Sequence, residues 1–111
     1  MSDATKQLED ELRQKHNEVF RLEFQDTSGP GAVYFRALTA PEYNAALEKI
    51  MDKDAKRNAL ALKEVARRVL IHPTDDALEA ILSRRPGVLT KVAGEAMALA
   101  NGDAIDLGKR L

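Results

Sequence analysis

The chain has 111 residues, of which 44% are hydrophobic, 32% are charged and 5% are aromatic, and its net charge at pH 7 is −1. The length predicts a single domain over residues 1–111 with a modest core. The near-neutral charge excludes a whole-molecule basic field for nucleic acid, and the absence of cysteine excludes disulfides and cysteine-based zinc sites. No apolar run approaches the roughly 18 residues of a membrane span. The N-terminal segment also lacks a secretion-signal layout, so we expect a cytoplasmic protein.

Residues 1–16 are predicted to form an N-terminal helix. The segment is polar and rich in helix-forming residues, and Leu8 and Leu12 lie one turn apart. Because this apolar stripe is thin, even if Val19 extends it, we expect the helix to pack weakly.

Residues 17–38 have the alternation of a β-hairpin. Between Val19 and Gln25, apolar residues alternate with polar or charged ones, which is typical of a strand with one buried face. The glycines and proline of Asp26–Gly31 indicate a loop longer than the tightest turns, and Ala32–Leu38 is predicted to be the second strand. An isolated hairpin is marginal in water, so we expect it to pack on the helices or to extend a partner's sheet.

Residues 39–101 are predicted to form a helical bundle, which makes the fold class mainly α (α+β): a small hairpin on or beside four to five helices. Thr39, with Glu42 three residues later, has the pattern of a capping box. A long helix is predicted over Ala55–Ile71 and ends before Pro73, because proline disfavours the helical conformation in the residue before it. The residues predicted to share one face of that helix are Ala55, Ala59, Leu62, Ala66 and Val69.

The last two helices follow breaks in the chain. Thr74 is predicted to cap the first, with Asp75 and Asp76 in the turn where the helix dipole favours carboxylates. Arg84-Arg85-Pro86-Gly87 separates it from Val88–Ala100, the most apolar helix. Residues 102–111 are predicted to be a flexible tail.

Residue types that often carry chemistry have structural explanations here. His16 and His72 lack any partner at metal-ligand spacing, and the aspartates after Thr74 are explained by helix capping. Gly29-Pro30-Gly31 lacks the spacing and the lysine of a phosphate-binding loop. We therefore expect no catalytic residue, cofactor or metal.

A basic run in the long helix leaves three interpretations open. The charged contact face consists of Lys56, Lys63, Arg67 and Arg68. Acidic residues interrupt it, which is typical of a solvated face, although contact with nucleic acid or with acidic residues of a protein partner is also compatible.

The order of these parts resembles the small tail assembly chaperones of long-tailed, siphophage-like bacteriophages and prophages. The resemblance covers roughly Lys15 to Gly102. The residues that carry it are Glu18-Val19-Phe20, Phe35-Arg36, Thr39-Ala40-Pro41-Glu42-Tyr43, His72-Pro73 and Arg84-Arg85-Pro86-Gly87. Each is a generic cap or breaker, and their order and spacing make the signal.

The resemblance implies a small, mostly helical, non-enzymatic protein in the cytoplasm of the bacterial host. Such chaperones coat the tape measure protein, whose helical segments are apolar and aggregate when free, and help tail-tube subunits polymerise around it. Many are also made as a longer frameshifted product that recruits tube subunits. We therefore expect the tape measure protein and tail-tube subunits as partners, a homo-oligomer, and no nucleic acid or membrane partner.

Two apolar surfaces are candidates for these contacts. The Val88–Ala100 helix is either a core helix or a face that takes another apolar helix, and these two roles are compatible. The predicted partner-binding residues are Leu89, Val92, Ala96, Met97 and Leu99. The predicted self-association residues at the hairpin edge are Phe20, Leu22, Phe24, Tyr34 and Phe35.

Other functions stay open at this point. A structural or adaptor tail protein would remain in the finished virion, whereas a chaperone should leave. A small helical DNA-binding regulator would use the Lys53–Arg68 region and bind DNA with steep salt dependence. An enzyme is the least favoured class, because the sequence has no recognisable nucleophile–base pair, metal set or cofactor loop.

Overall fold

The computed structural model of the chain describes residues 3–16, 18–51, 53–102 and 111. These residues form five helices and a three-stranded antiparallel sheet, which confirms the mainly α, α+β fold class. The predicted flexible tail lies outside the described residues except at Gly102 and Leu111. The elements are α1 Asp3–Lys15, β1 Phe20–Asp26, β2 Gly29–Phe35, α2 Ala40–Ile50, α3 Ala55–Val69, β3 Leu70–His72, α4 Asp75–Arg84 and α5 Gly87–Ala100.

The hairpin turn is shorter than the sequence predicted. Asp26 pairs with Gly29, so Thr27 and Ser28 are the only residues between β1 and β2. Gly29 has a φ of +121°, which glycine adopts without the steric cost that a Cβ would add. The prediction of a longer loop was wrong because Pro30, taken as a loop residue, lies within β2 opposite Gln25. Gln25 and Pro30 form a pair that exchanges no backbone hydrogen bonds across the hairpin, so the missing N–H of proline is tolerated there.

The third strand was missed. The helix predicted to reach Ile71 ends at Val69, and Leu70–His72 pairs with the end of β2. The Arg36 amide donates to the Val69 carbonyl at 2.9 Å, which ties the end of α3 to the chain leaving β2. A three-residue strand is too short to show a periodicity of its own, so the pattern could not distinguish it from the last turn of a helix.

One face of the sheet and the inner sides of three helices form the main core. Phe20 and Phe35 stack with ring centroids 5.5 Å apart. Phe24 lies over Gly31, where a Cβ would come within 2.7 Å of the ring, so the glycine is needed for this close approach. The fully buried residues from α3 and α5 that complete this core include Ala66, Val69, Val92, Ala93 and Ala96.

Helix α1 covers the opposite face of the sheet. Leu12 is buried there in a second cluster with Val19 and Tyr34. The sequence predicted a weakly packed helix because only the leucine stripe was visible. The structure adds Glu9, a buried carboxylate that bonds to the sheet and anchors the helix.

The two predicted helix caps have different outcomes. Thr39 and Glu42 form the predicted capping box, with the hydroxyl accepting from the Glu42 amide and the carboxylate accepting from the Thr39 amide. Thr74 occupies the N-cap position of α4, but its side chain makes no capping bond. The following residue, Asp75, has a φ of +52°, and this departure from helical geometry accompanies the uncapped start.

The buried face of α3 is rotated from the prediction. Its buried residues are Ala61, Val65, Ala66 and Val69, and Leu62 is half-buried. Ala55 and Ala59, which the prediction placed inside, are exposed. The first turns of α3 therefore project from the core, and only its second half packs fully.

Candidate partner-binding surfaces

The predicted self-association residues do not lie on the surface. Phe20, Leu22, Phe24 and Phe35 fill the main core, and Tyr34 belongs to the cluster under α1. All five are at most 8% exposed. Their side chains are therefore occupied within the chain. The hairpin instead exposes polar residues such as Glu23 and Gln25, and β1 is an edge strand of the sheet.

The apolar helix α5 is mainly a core helix. Leu89, Val92 and Ala96 are buried against the sheet and α3, so they are not accessible to a partner in this structure. Met97 and Leu99 are half-buried at the rim of the same core. The sequence left open whether this helix is a core helix or a binding face. The structure gives three of its five predicted partner-binding residues a core role.

The charged contact face is on the surface. Lys56, Lys63, Arg67 and Arg68 are all exposed on α3. Arg67 pairs within the chain, at 2.7 Å from Glu79 of α4. This neighbouring guanidinium lowers the pKa of the Glu79 carboxyl.

One exposed leucine in this charged face was not predicted. Leu60 is 58% exposed, and the spacing 56, 60, 63, 67 places it on one helical stripe with Lys56, Lys63 and Arg67. The spacing was visible in the sequence. Leu60 was assigned to neither face of the helix from the sequence, because only the charged residues of this stripe were named.

Leu60 borders a groove between the last turn of α2 and the first half of α3. The groove is lined by Lys49, Arg57, Leu60, Ala61 and Glu64 and has a volume of about 300 Å³. Lys49 of α2 and Glu64 of α3 form an ion pair at 3.0 Å across it. Met51, 75% exposed, follows α2 directly. The groove thus combines the apolar Leu60 and Ala61 with three charged residues, a mixture that is also found in sites for amphipathic helices.

Arg36 and Arg84, which belong to the segments that carry the resemblance, hold different elements of the fold together. Arg36 bonds both carboxylate oxygens of Glu42, at 2.7 and 2.9 Å, and also donates to the Arg68 carbonyl at 3.1 Å. The Arg36 guanidinium lowers the pKa of Glu42 to about 2. This single side chain joins the end of the hairpin, the start of α2 and the end of α3.

The second of these arginines, Arg84, joins α4 to the tip of the hairpin. Arg84 bonds both carboxylate oxygens of Asp26 at 2.9 Å, and this contact lowers the pKa of Asp26 to about 2. Arg85 donates to the Gln25 carbonyl at 2.7 Å. The Arg-Arg pair was expected to close a helix, and its side chains in addition hold the β-turn.

A polar cluster lies between α1 and the sheet. The buried carboxylate of Glu9 accepts from the Tyr34 hydroxyl at 2.8 Å and from Arg21 at 3.1 Å. Burial, together with the bond to Glu9, raises the pKa of Tyr34 to about 12, so this hydroxyl stays protonated and donates. The cluster fixes α1 on the sheet.

The two histidines and the paired aspartates belong to different parts of the fold. His16 follows α1, and His72 ends β3 with its ring centroid 6.1 Å from that of Tyr34. Asp75 and Asp76 are exposed in the first turn of α4. Among the described residues, no three His, Cys, Asp or Glu side chains come close enough to hold a metal ion. None of the described helices combines the length and the apolar character needed to cross a membrane.

Comparison with known proteins gives no relative. No protein-family model matches the chain, and neither a curated protein nor a solved structure matches it.

Proposed function

We propose that this protein is a non-enzymatic tail assembly chaperone of a siphophage-like phage or prophage, working in the cytoplasm of the bacterial host. It binds and solubilises the tape measure protein and promotes assembly of the tail tube around it. The resemblance of the ordered caps and breaks between Lys15 and Gly102 supports this family. The observation that carries the client-binding part is Leu60, which is exposed at the centre of a lysine-flanked stripe and lines a groove of mixed apolar and charged residues.

A helical client with an apolar stripe suits this surface. Leu60 supplies an apolar contact that loses water when another apolar side chain covers it. Lys56 and Lys63, one turn to either side, extend flexible cations toward carboxylates that flank the client's stripe. The combination of one apolar anchor and a polar rim is the usual composition of a helix-binding groove.

The main client contact then lies on α3 and not on α5. Leu89, Val92 and Ala96 support the fold from within, whereas the half-buried Met97 and Leu99 lie at the rim of the core and add to the client contact. A mixed-sign surface also favours a protein client over DNA, because Glu64 and Glu79 lie beside the cations and would repel phosphates.

The test is co-expression with a tape measure protein encoded near this chain, followed by a pull-down from the soluble fraction. The proposal predicts that this chain brings the tape measure protein into solution and elutes with it in several copies. An insoluble tape measure protein with no complex would contradict it. Mass spectrometry of purified virions then separates a chaperone, which is absent from them, from a structural tail protein, which is retained.

DNA binding provides an independent check. A chaperone of this kind shows no binding to duplex DNA beyond a weak, sequence-independent background in a mobility-shift assay. Affinity that falls steeply between low and physiological salt would instead support the DNA-binding regulator.

A further inference from the structure

The outer edge of β1 is open to another strand. The sheet order is β1-β2-β3, so β1 has a strand on one side only among the described residues. Exposed strand edges present unpaired N–H and C=O groups and are common sites of strand addition.

The register with β2 identifies which backbone groups point outward. Since Asp26 and Gly29 close a two-residue turn, the residues of β1 at even positions exchange hydrogen bonds with β2. The odd positions then direct their N–H and C=O groups to the open edge. Two contacts agree with this assignment: the Gln25 carbonyl accepts from Arg85, and the Val19 carbonyl accepts from the Leu111 amide at 2.9 Å.

Those two contacts occupy the ends of the edge and leave its centre at Arg21 and Glu23. The sequence there, Phe20-Arg21-Leu22-Glu23-Phe24, is complementary to itself when reversed. In an antiparallel pair centred on Leu22, each Phe20 lies opposite a Phe24, and each Arg21 lies opposite a Glu23. The backbone N–H and C=O groups of Arg21 and Glu23 both point to the open edge. Each Arg21–Glu23 pair between the two copies therefore exchanges two backbone hydrogen bonds.

The charges also select the register. A shift of two positions in one direction places Arg21 opposite Arg21, and a shift in the other direction places Glu23 opposite Glu23. Like charges directly opposite each other destabilise a strand pair, and opposite charges stabilise it. A shift of one position would turn the buried side chains to the wrong face.

We propose that the β1 edge pairs with β1 of a second copy of this chain, in the register centred on Leu22, to form a continuous six-stranded antiparallel sheet. The pairing uses the backbone of Arg21 and Glu23. It stops before Val19 and Gln25, which lie opposite each other in this register and whose carbonyls already accept from Leu111 and Arg85. The symmetry is two-fold, so both copies use the same surface. This inference does not depend on the proposed client or on the tail-assembly function.

The first test is sedimentation equilibrium over a concentration range of about 10 μM to about 1 mM, which suits a weak pair. The decisive variant is Glu23→Pro, because it removes an outward N–H that β2 does not use. Glu23→Lys places like charges opposite each other in the proposed register. The matched control is Glu11→Lys, the same charge change at an exposed position of α1.

The wild-type chain and the control should dimerise with similar dissociation constants, and both Glu23 variants should weaken the dimer by about tenfold or more. Unchanged far-UV circular dichroism shows that the variants fold. A wild-type chain that stays monomeric throughout, or a dimer that tolerates both Glu23 variants, would overturn the proposal. A variant that unfolds is replaced by the second measurement.

The second measurement reads the register directly and keeps residue 23 intact. The chain has no cysteine, so Thr27→Cys in the exposed turn gives a single site for a nitroxide label. In the register centred on Leu22 the two labelled positions are ten strand positions apart, or roughly 35 Å. Each two-position shift changes this separation by roughly 7 Å. A distance shifted from roughly 35 Å by roughly 7 Å or more, whether it fits another β1 register or no β1 pair at all, would overturn the proposal.

Discussion

Helices α3 and α5 pack against each other, have nearly the same length, and use their apolar residues in opposite ways. α5 buries Val88, Leu89, Val92, Ala93 and Ala96 and carries almost no charge, whereas α3 buries four residues and exposes a charged face with a leucine in it. A wide apolar arc needs partners on several sides, so the most apolar helix is a core element. The exposed leucine of the more charged helix is the better candidate for a contact with another protein.

Replacing one leucine in each helix tests this contrast through the free energy of unfolding. Leu89→Ala in α5 removes buried side-chain atoms and leaves a cavity, so it should lower the free energy of unfolding by about 2 to 5 kcal/mol. Leu60→Ala in α3 should change it by about 0.5 kcal/mol or less, because the side chain is already mostly in water. Urea denaturation of both variants checks the pair. Equal losses would contradict the assignment of one helix to the core and the other to a binding surface.

The buried polar cluster under α1 should respond to loss of one donor. Tyr34→Phe leaves a buried oxygen of Glu9 with Arg21 as its remaining partner in the cluster, and should cost about 1 to 3 kcal/mol. Denaturant unfolding measures the loss. Tyr43→Phe is the matched control, since that hydroxyl bonds the exposed Asn101 side chain and should matter less. A larger loss in the control would contradict the role of the cluster in anchoring α1.

The sequence predicted the alternation of β1, the capping box and the last helix, because each has a local pattern in adjacent residues. It could not predict the two-residue turn, since Gly29-Pro30-Gly31 is as typical of a loop as of a glycine-rich strand. It missed β3 because three residues have no period. The charged face of α3 was predicted, but the burial of the five hairpin residues depended on α1 and α5 covering both faces of the sheet, which is long-range information.

The junction that Arg36 forms between the hairpin, α2 and α3 should lose stability in acid. The pKa of Glu42 is lowered in the folded chain from 4.5 to about 2, so its contact with Arg36 stabilises the fold above about pH 4.5 and is lost as the pH falls toward 2. Asp26, with Arg84, contributes in the same direction. Chemical denaturation at several pH values should show a decline of the unfolding free energy across this window.

The control for this pH dependence is Glu42→Gln. It should be less stable than the wild-type chain at neutral pH and show a shallower decline between pH 4.5 and 2, because one of the two carboxylates no longer titrates. Parallel curves for the two proteins would contradict the assignment of the Arg36 contact to this window.

Substitutions on the exposed face of α3 should change the free energy of unfolding least. Arg67→Ala removes an exposed ion pair with Glu79, which typically contributes about 0 to 1 kcal/mol. Thermal unfolding at low and high salt should show a small difference that disappears at high salt, because exposed pairs are screened. A loss above about 2 kcal/mol would show that this face is structural and would weaken its assignment as a free surface.

The most direct test of the central claim is the co-expression experiment repeated with Leu60→Glu, which places a charge at the centre of the proposed contact. Ala80→Glu, at an exposed position of α4, is the control for added charge. The account predicts that Leu60→Glu keeps a native circular dichroism spectrum but leaves the tape measure protein insoluble, while Ala80→Glu behaves like the wild type. A Leu60→Glu variant that folds and solubilises the tape measure protein as well as the wild type would contradict the claim that α3 binds the client.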